Sequence, residues 1–313
     1  MRGRGASAPA RRRLRAGPGR GAVAGVSGQP ERIVDGPLPR LDGRRVLVTG
    51  ATSGIGRETA LRLAALGAEV AVHGRDMARG AAVLAAVREA AGASRGRLYL
   101  ADLSTLDGVR RLAAIVRRDL PALDVLVANA GVYSPERVET ADGLELTFAV
   151  NVVAPILLAV ELLPALRRAA PARIVVVGSA SHWTGEIHWD DLQWCRRPYD
   201  GVAVYDQSKL AVTMLTFALA RRLRGSGVTA VCLDPGDVDT AMLRAGWPEL
   251  EGVPVEEGAT TSIWLAAAEE AAALHGVYLE DGRVTEPLAA ARDEAAQERL
   301  WQALEGITGP LAV

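Results

Sequence analysis

The chain has 313 residues, 49% of them hydrophobic, and a formal net charge of −1, so one folded domain of enzyme size is expected. Residues 1–20 carry seven Arg and no acid, which leaves 29 basic against 37 acidic residues elsewhere and no reason to expect nucleic-acid binding. Two cysteines, Cys195 and Cys232, cannot build a disulfide framework, so we expect a reducing, cytoplasmic location. No apolar run reaches the roughly 18 residues that cross a bilayer, and no membrane span is predicted.

The first 37 residues differ in composition from the rest. They are rich in Arg, Gly, Ala and Pro and show no apolar periodicity, so residues 1–37 are predicted to be a disordered tail and residues 38–313 a single domain. An inert extension is the simpler interpretation of the tail. An organelle-targeting segment is the alternative, because the tail is rich in Arg and poor in acids. A secretory signal is excluded by the lack of an apolar central region.

From Arg44 onward, short apolar strands alternate with longer amphipathic segments, the pattern of βαβ units. Strands such as those in VLVTG and RIVVVG are apolar on both faces, which is typical of a parallel sheet covered by helices on both sides. The predicted fold is therefore doubly wound α/β, a Rossmann fold that binds ligands at the carboxyl ends of its strands. The predicted strands are Arg45–Thr49, Glu69–His73, Arg97–Leu100, Asp124–Ala128, Arg173–Val177, Val228–Leu233 and Val277–Leu279. The predicted helices are Gly54–Leu66, Met77–Ala91, Thr105–Leu120, Asp142–Ala169, Val204–Leu223 and Arg292–Leu304.

A glycine-rich turn, TGATSGIG at residues 49–56, follows the first predicted strand. Gly50 can form the tight turn, Gly54 lets the backbone approach a pyrophosphate, and Gly56 lets the helix pack on the strand. The helix that begins there offers free N–H groups and a positive dipole end to phosphate. A glycine-rich turn alone is a weak signal, but its place between strand and helix at the first βα connection favours a dinucleotide site over an ordinary connection.

The composition singles out three residues. Of the 36 basic residues 35 are Arg, and the one Lys is Lys209; the only two Asn residues are Asn129 and Asn151. A chain so poor in these residue types is expected to retain them where Arg, Asp or Gln could not serve. All three fall inside one predicted active site.

The predicted catalytic chemistry rests on a Tyr, a Lys and a Ser. Tyr205 and Lys209 lie four residues apart near the start of a predicted helix and so share one face. An ammonium group beside a phenol favours the phenolate and lowers its pKa from about 10 toward neutrality, as general acid/base catalysis requires. Ser179, at the carboxyl end of a strand, can donate a hydrogen bond to a substrate oxygen. A surface Tyr–Lys pair and a turn at Asn129 are the simpler alternatives for single residues, but the combination favours an active site.

These motifs occur in the order and spacing of the short-chain dehydrogenase/reductase family, which the sequence resembles over about residues 42–308. The matching motifs are TGATSGIG at 49–56, Asp102 after the third strand, NAG at 129–131, Asn151 in the long helix, Ser179 after the fifth strand, YDQSK at 205–209 and DPGDVDT at 234–240. The segments RIVVVGSASH, WDDLQW, GVYLEDGRVTEP and ARDEAAQERLW are similar to the retinol-dehydrogenase-like branch. The resemblance implies an NAD(P)-dependent oxidoreductase that acts on CH–OH donors.

The resemblance also implies a role for each matching residue. Ser179, Tyr205 and Lys209 would be catalytic, with Lys209 also holding the nicotinamide ribose. Asn151 would order a water in a proton relay, and Asn129 would support the cofactor site, while the adenine would meet Asp102. The residues expected to bind the cofactor are Gly50, Thr52, Ser53, Gly54, Ile55, Gly56, Arg75, Asp102, Leu103, Asn129, Ala130, Gly131, Tyr205, Lys209, Pro235, Gly236, Val238 and Thr240.

Two positions depart from the family pattern. Gly178 stands where a second serine is common beside the catalytic one, and Val152–Pro155 replaces the usual residues after Asn151. Neither change removes a proposed catalytic group. The proline is expected to alter the helix around Asn151, because it cannot donate a main-chain hydrogen bond.

The choice of cofactor depends on the end of the second strand. An acid there often binds the ribose 2′-hydroxyl of NAD, whereas Arg suits the 2′-phosphate of NADP. This chain has His73, Gly74, Arg75 and Asp76 at that point, and in the retinol-dehydrogenase-like pattern the matching Arg goes with NADP. NADP is therefore expected in preference to NAD, with Arg75 at the phosphate. The alternative is a solvated Arg75 beside an Asp76 that caps the next helix.

Two other chemistries are not supported by the pattern. Five potential metal ligands lie close together in the sequence: His182, His188, Asp190, Asp191 and Cys195. Their spacing matches no usual zinc pattern, so no metal site is predicted. A hydrolase built on Ser179 is also disfavoured, because Ser179 does not stand in the G-x-S-x-G sequence of a nucleophile elbow.

The predicted function is hydride transfer between a nicotinamide and a carbonyl or alcohol, and the resemblance implies a small, lipophilic substrate. A catalytically silent NAD(P)-binding regulatory module is the alternative. Oligomers of the family are commonly built on the helices that contain Asn151 and Tyr205, which leaves a homodimer, a homotetramer and a monomer open. Four tryptophans either wall an apolar substrate cleft or pack in the core or a dimer interface: Trp183, Trp189, Trp194 and Trp247.

Overall fold

The computed structural model of the chain describes residues 31–91 and 96–313. The strands within these residues are β1 (Arg45–Val48), β2 (Glu69–Gly74), β3 (Gly96–Leu100), β4 (Val125–Ala128), β5 (Ala172–Val177), β6 (Val228–Asp234), β7 (Tyr278–Glu280) and β8 (Arg283–Thr285). They form one sheet in the order β3-β2-β1-β4-β5-β6-β7-β8. Every neighbouring pair is parallel except β7 with β8.

Helices cover both faces of this sheet. They are α1 (Gly54–Ala65), α2 (Met77–Ala91), α3 (Leu106–Asp119), α4 (Leu146–Phe148), α5 (Ala154–Arg168), α6 (Gly201–Arg222), α7 (Ala241–Gly246), α8 (Val255–Gly258), α9 (Thr260–Ala267), α10 (Ala289–Arg292) and α11 (Glu294–Thr308). Alternate residues of β1 enter two different cores: Leu47 packs in the cluster that contains α3, α5, α6 and α11, whereas Val46 and Val48 pack in the cluster that contains α1, α2 and α9. The strand is therefore apolar on both faces, as predicted.

The order of the strands creates the crevice of a Rossmann fold. β1 lies between β2 and β4, and Val46 pairs with Val70 on one side and with Val125 on the other. The chain reverses its direction of travel across the sheet at this point, so the helices that follow β1 and β4 leave on opposite faces. A crevice opens between them at the carboxyl ends of the strands. The predicted doubly wound α/β fold is confirmed.

The long central helix begins later than predicted. Its first helical residue is Leu146 rather than Asp142, because the carboxylate of Glu145 caps the helix and accepts hydrogen bonds from the main-chain N–H groups of Thr147 (2.8 Å) and Phe148 (2.7 Å). Glu145 is fully buried, and its charge is satisfied by the helix it starts.

A π-helical turn at Ala149–Val153 joins α4 to α5. Within it the N–H of Ala154 donates to the carbonyl of Ala149, five residues earlier. Pro155 has no N–H to give to the carbonyl of Asn151, so the regular helical hydrogen bond cannot form there. The expected effect of the proline on the helix around Asn151 is therefore found in the structure.

This helix also passes a test of length and composition for a membrane span. Among the described residues, Leu146–Arg168 is one helix of 23 residues that is apolar enough to cross a bilayer. The prediction that no apolar stretch is long enough is therefore wrong. In the fold, 89% of its most apolar window is buried, as expected of a core helix, and the match is a weak indication of a membrane span.

The C-terminal region contains more structure than predicted. The predicted closing helix Arg292–Leu304 is replaced by the short α10 and by α11, which packs along α6. Trp301 of α11 is 1% exposed, and the guanidinium of Arg222 lies 4.1 Å from the centre of its ring. Arg222 also pairs with Glu298 at 2.6 Å. The face of α6 away from the sheet is therefore covered by the chain itself.

The boundary of the predicted tail needs a correction. Residues 31–37 were assigned to the disordered tail, but the N–H of Ile33 donates to the carbonyl of Gly282 at 2.9 Å, and Val34 is 5% exposed in the core cluster with Leu279. The prediction of disorder is wrong for these residues, because Val34 supplies an apolar side chain that packs on the β7–β8 hairpin. Residues 1–30 lie outside the described residues, and their disorder stays a prediction.

Candidate active site

A cleft of about 500 Å³ opens at the carboxyl edge of the sheet. It brings together every residue predicted to bind the cofactor and three of the four residues predicted to be catalytic. Asn151 is the exception and lies one layer behind Gly131. The predicted residues that line the cleft are Gly50, Thr52, Ser53, Gly54, Ile55, Gly56, Arg75, Asp102, Leu103, Asn129, Ala130, Gly131, Ser179, Tyr205, Lys209, Pro235, Gly236, Val238 and Thr240.

Close packing around the glycine-rich turn explains two of its glycines. Gly50 has a φ of +64°, and a Cβ there would lie 2.8 Å from the Cα of Ala130. A Cβ on Gly56 would lie 2.3 Å from Nδ2 of Asn129. That amide donates to the carbonyls of Thr49 at 2.8 Å and Gly50 at 3.4 Å, so Asn129 fastens the end of β4 to the turn. The turn consequently presents main chain rather than side chains to the cleft.

The first turn of α1 faces the cleft without a capping side chain. Ser53, at the N-cap, makes no side-chain hydrogen bond to the helix, and the first turn contains no acid. By contrast, α3, α6 and α11 begin at Thr105, Asp200 and Asp293, whose side chains accept from first-turn amides. Uncapped amide donors at the positive end of a helix dipole fit an anionic group such as a pyrophosphate. The site therefore suits the dinucleotide that the fold implies.

Arg75 and Asp76 at the end of β2 are differently engaged. Arg75 is exposed in the cleft lining and makes no ion pair or hydrogen bond with another residue of the described ranges. The carboxylate of Asp76 caps α2: it accepts from the N–H of Arg79 at 2.8 Å and lies 3.7 Å from the Arg79 Nε atom. The guanidinium of Arg75 is thus available to an anion in the cleft, while the neighbouring carboxylate is occupied.

Asp102 and His73 line the same end of the cleft as Arg75. Asp102, exposed after β3, accepts a hydrogen bond from the N–H of Ser104 at 3.0 Å, and Leu103 is 6% exposed beneath it. His73 accepts from the N–H of Gly50 at 3.3 Å through Nδ1, and its Nε2 lies 3.2 Å from the carbonyl of Ala101. Burial lowers the pKa of His73 to about 4, so the neutral ring links β2 to the glycine turn. The sequence named His73 only as part of a strand end.

Ser179, Tyr205 and Lys209 meet on one wall of the cleft. The Nζ atom of Lys209 donates to the carbonyl of Val177 at 3.1 Å and lies 5.4 Å from the centre of the Tyr205 ring. Ser179 lines the same part of the cleft. Tyr205 and Lys209 are only 7% and 6% exposed, so this pair is almost dry. It is not the solvated surface pair of the simpler interpretation.

Burial dominates the protonation of this pair. It lowers the pKa of the Lys209 ammonium to about 8 and raises the pKa of the Tyr205 phenol well above its ordinary value of 10. The carboxylate of Asp234 raises the Tyr205 pKa further, and the hydrogen bond with Ser179 lowers it. The expectation that Lys209 brings the Tyr205 pKa toward neutrality is therefore wrong for this structure, because desolvation of the phenolate is the largest effect.

Asn151 uses its side chain to hold the loop after β4. Its Oδ1 accepts from the N–H of Val132 at 2.8 Å, and its Nδ2 donates to the carbonyl of Val132 at 2.9 Å and to Oγ of Ser208 at 3.1 Å. Both amide protons are thus bonded to the protein. The π-helical turn aims the side chain at this loop and at α6, so Asn151 joins the elements that carry Asn129 and Tyr205.

The loop after β6 also lines the cleft, and a Cβ on Gly54 of the glycine turn would lie 3.3 Å from the Thr240 side chain. The carboxylate of Asp234 accepts from the N–H of Gly236 at 3.1 Å, and burial raises the Asp234 pKa to about 6. Val238 is buried and bridges to Val253, and Thr240 caps α7 by accepting from the N–H of Leu243 at 3.3 Å. Pro235 precedes Gly236 in the same lining.

Trp247 reaches the cleft and packs on Tyr205. The centre of its ring lies 5.1 Å from that of Tyr205 and 5.3 Å from that of Tyr133. Sequence reasoning did not single out Tyr133, and the two residues of α7 that complete this surface were also missed. The aromatic wall, as we call this cluster, consists of Tyr133, Val202, Tyr205, Met242, Leu243, Trp247 and Leu250.

The other three tryptophans pack elsewhere. Trp183 contacts the ring of His182, Trp194 lies in edge contact with Tyr199, and the guanidinium of Arg299 lies 4.3 Å from the centre of the Trp189 ring. None of the three lines the cleft. The sequence left two alternatives open for these four tryptophans. Trp247 lines the cleft, whereas Trp183, Trp189 and Trp194 pack within the fold.

The potential metal ligands near Asp190 and Asp191 do not converge. Within residues 31–91 and 96–313 there is no group of three or more His, Cys, Asp or Glu side chains that could hold a metal ion. The carboxylate of Asp191 instead accepts from the main-chain N–H groups of Cys195 (2.7 Å) and Arg196 (2.9 Å) and contacts Arg197 at 3.2 Å. It organises the loop before α6.

The site defines the class of protein as a dinucleotide-dependent oxidoreductase. It combines a Rossmann crevice, the uncapped helix α1 and the side chains of Ser179, Tyr205 and Lys209. A family model described as short chain dehydrogenase matches residues 44–250. The chain is 42% identical over 292 residues to a polyprenol dehydrogenase of Mus musculus, covering 87% of this chain and 86% of the relative. It is 34% identical to retinol dehydrogenase 13 of Homo sapiens, covering 92% and 93%.

Solved structures lead to the same family. An uncharacterised protein from Mycobacterium paratuberculosis superposes with a TM-score of 0.74 at 30% identity, covering 91% of this chain and 100% of that one. A short chain dehydrogenase from Burkholderia cenocepacia, solved in complex with NADP, superposes with a TM-score of 0.63 at 31% identity, covering 77% and 97%. The chain therefore belongs to the short-chain dehydrogenase/reductase family, in its retinol-dehydrogenase-like branch, and is an enzyme that acts on CH–OH donors.

Proposed function

We propose that the enzyme uses NADP to interconvert long apolar alcohols and their carbonyl counterparts, with isoprenoid chains as the substrate class. The aromatic wall carries this proposal: Trp247 lies directly beside Tyr205, and Met242 and Leu243 line the cleft with them, so the surface next to the reacting group is apolar. Such a lining favours a hydrocarbon chain by about 25 cal/mol for each Å² of apolar surface that it buries. The names of two relatives, polyprenol dehydrogenase and retinol dehydrogenase 13, support the same class.

The preference for NADP is supported by the state of Arg75. Its guanidinium has no carboxylate partner in the described part of the chain, and it lies at the end of β2 where the ribose 2′-position of a bound dinucleotide is expected. Guanidinium–phosphate contacts are charge-assisted and can be bidentate, so a 2′-phosphate gains more from Arg75 than a 2′-hydroxyl does. The Burkholderia cenocepacia relative in complex with NADP is consistent with this assignment.

In the proposed mechanism the bound nicotinamide supplies or accepts the hydride. During carbonyl reduction, the Tyr205 hydroxyl gives its proton to the substrate oxygen, and the Ser179 hydroxyl donates a hydrogen bond to the same atom. During alcohol oxidation, the substrate hydroxyl returns its proton to the Tyr205 phenolate. The Lys209 ammonium, 5.4 Å from the centre of the Tyr205 ring, lowers the free energy of that phenolate. A raised Tyr205 pKa keeps the proton in place for the reductive direction.

Turnover by the purified protein tests this proposal. We expect NADP reduction with geranylgeraniol and all-trans-retinol, and little with glycerol, at equal concentration. Tyr205→Phe is the matched control, because it keeps the ring that packs on Trp247 and removes only the hydroxyl. It should bind NADPH normally and lose about 10²-fold to 10⁴-fold in turnover. Tight NADPH binding without turnover of any of these alcohols would instead favour the silent regulatory module.

The cofactor assignment has its own variant. Arg75→Asp puts a carboxylate against the 2′-phosphate and should shift the ratio of NADP to NAD affinity by roughly 30-fold or more, which corresponds to about 2 kcal/mol. Arg111→Asp is the control, since Arg111 is an exposed arginine that pairs with Asp107 and does not line the cleft. An unchanged affinity ratio in Arg75→Asp would refute the assignment. The cytoplasmic location stays a prediction, supported by the two free cysteines.

A further inference from the structure

A buried hydrogen-bond cluster lies directly behind Ser179. The ring of His182, on the short 3₁₀ turn Ala180–Trp183, is fully buried and packs on the ring of Tyr278 with centres 4.6 Å apart. Its Nδ1 atom lies 2.8 Å from the main-chain carbonyl oxygen of Ser179. The Tyr278 hydroxyl lies 3.2 Å from the same oxygen. Both side chains thus converge on the backbone of the residue assigned to the substrate oxygen.

The chemistry of the cluster fixes its protons. A carbonyl oxygen only accepts, so Nδ1 of His182 carries the hydrogen and donates it to Ser179. Nε2 then accepts from the N–H of Leu288 at 3.3 Å. Burial lowers the pKa of His182 to about 4, which keeps the ring neutral with this single arrangement of protons. The Tyr278 hydroxyl donates to the same carbonyl oxygen, which also accepts from the main-chain N–H of His182, and it lies 3.2 Å from Nδ1 of His182.

The Ser179 side chain is fixed from the other direction. Its Oγ accepts from the N–H of Ser181 at 3.1 Å, so the hydroxyl proton of Ser179 points away from the turn and toward Tyr205 and the cleft. A short 3₁₀ turn needs only main-chain hydrogen bonds and such a cap. It does not need two further buried side chains on one carbonyl, and burying those polar groups is costly unless they are paired. Their convergence is better explained by the need to place the Ser179 hydroxyl accurately.

We propose that His182 and Tyr278 are positioning residues that hold the main chain of Ser179 so that its hydroxyl faces the reacting oxygen. The inference rests on the proposed role of Ser179. Tyr278 and Leu288 lie beyond residues 44–250, the range matched by the family model, so this support comes from the C-terminal part of the chain. The C-terminal segment is thereby coupled to the catalytic site through two hydrogen bonds, from the Tyr278 hydroxyl to Ser179 and from the Leu288 N–H to His182.

Three substitutions separate the effect of the hydrogen bonds to the Ser179 carbonyl from the effect of side-chain packing. His182→Gln can place an amide nitrogen near the Nε2 position but not near Nδ1. His182→Asn is the conservative counterpart, because its side-chain nitrogen falls near Nδ1 and can still donate to Ser179. Tyr278→Phe removes one hydroxyl and keeps the ring. We expect kcat to fall about 10-fold to 100-fold in His182→Gln and about 10-fold in Tyr278→Phe, with NADPH affinity unchanged and substantial rescue in His182→Asn.

A double-mutant cycle with Ser179→Ala tests whether the effect passes through the serine. If His182 acts by placing the Ser179 hydroxyl, His182→Gln has no further effect on kcat once that hydroxyl is removed. Losses that multiply would overturn the inference while leaving the role of Ser179 intact. Wild-type turnover in Ser179→Ala would instead overturn the proposed function of the serine.

Hydrogen exchange provides a readout that needs no substrate. The N–H of His182 donates to the Ser179 carbonyl at 3.1 Å, so its exchange reports on the same main-chain segment. We expect faster exchange for residues 179–185 in His182→Gln and Tyr278→Phe, and wild-type exchange in His182→Asn. Wild-type exchange across all three variants, in folded protein, would contradict the proposal. Tyr278→Phe retains the aromatic packing and serves if His182→Gln fails to fold.

Discussion

Replacing Lys209 with Met should abolish turnover and make the protein more stable at neutral pH. Lys209 is 6% exposed, and burial lowers its pKa from 10.5 to about 8. Each pKa unit corresponds to about 1.4 kcal/mol, so holding this charge costs the folded state roughly 3 kcal/mol. Loss of the hydrogen bond from Nζ to the carbonyl of Val177 offsets about 1–2 kcal/mol of this gain. We therefore expect a net stabilisation on the order of 1–2 kcal/mol.

The pH dependence of this difference is the sharper test. Below pH 8 the lysine is charged in the folded and unfolded states, so the wild-type protein bears the full cost of burying it. Between pH 8 and about 10.5 the folded protein has lost this proton and the unfolded chain still holds it, so wild-type stability rises relative to Lys209→Met. Thermal unfolding of both proteins from pH 6.5 to 10 measures the difference. A difference in Tm that is constant over this range would refute the reasoning.

Lys209→Arg is the variant that keeps the charge. Lys209 is buried on α6, with its Nζ only 3.9 Å from where a Cβ on Gly131 would lie. A guanidinium is bulkier and cannot lose its proton at these pH values. We therefore expect Arg to destabilise the protein where Met stabilises it, and turnover to fall by roughly 10²-fold or more.

Three further predictions follow from the same contacts. The rate of carbonyl reduction, as kcat/KM, should be constant up to about pH 8 and fall above it, because the Lys209 ammonium is protonated only below its pKa. Trp247→Ala should raise KM for geranylgeraniol about 10-fold or more by removing apolar contact area, whereas Trp189→Ala, remote from the cleft, should leave KM unchanged. A chain that begins at Leu38 should lose about 2–3 kcal/mol of stability relative to one that begins at Glu31, because it lacks the burial of Val34 and one main-chain hydrogen bond; equal melting temperatures would contradict this.

The parallel sheet was predictable because its strands enter two cores. Alternate residues of β1 pack in different clusters, and only such a strand reads as a continuous apolar run. The second strand of the β7–β8 hairpin was missed although the hairpin carries a signal: Asp281 and Gly282 both have positive φ, the pattern of an Asp-Gly turn between two strands. Its strands contain three residues each, too short to show an alternating pattern.

The sequence predicted which residues form the site, but not the pKa values of those residues. The composition argument located Lys209, Asn129 and Asn151, because rare residue types mark places where common ones do not serve. The direction of the Tyr205 pKa could not be read in the same way, since it depends on burial by elements that are distant in the sequence. Trp247 alone packs 42 residues further along the chain than the phenol it covers. Sequence spacing showed that an ammonium lies near Tyr205, and only the fold showed how dry the pair is.

The C-terminal region explains both the placement of Ser179 and the covering of α6. Nearly all of α6 between Val204 and Ala220 is buried, and α11 supplies part of that cover through Trp301 and the Arg222–Glu298 ion pair. A dimer built on the outer face of α6 would have to displace α11, exposing Trp301 and separating a guanidinium from both its ring and its carboxylate. The chain reaches α11 through Leu288, whose main-chain N–H donates to His182. Moving α11 would therefore also disturb the hydrogen bonds of His182 behind Ser179. Assembly through that face would therefore require α11 to move away from α6.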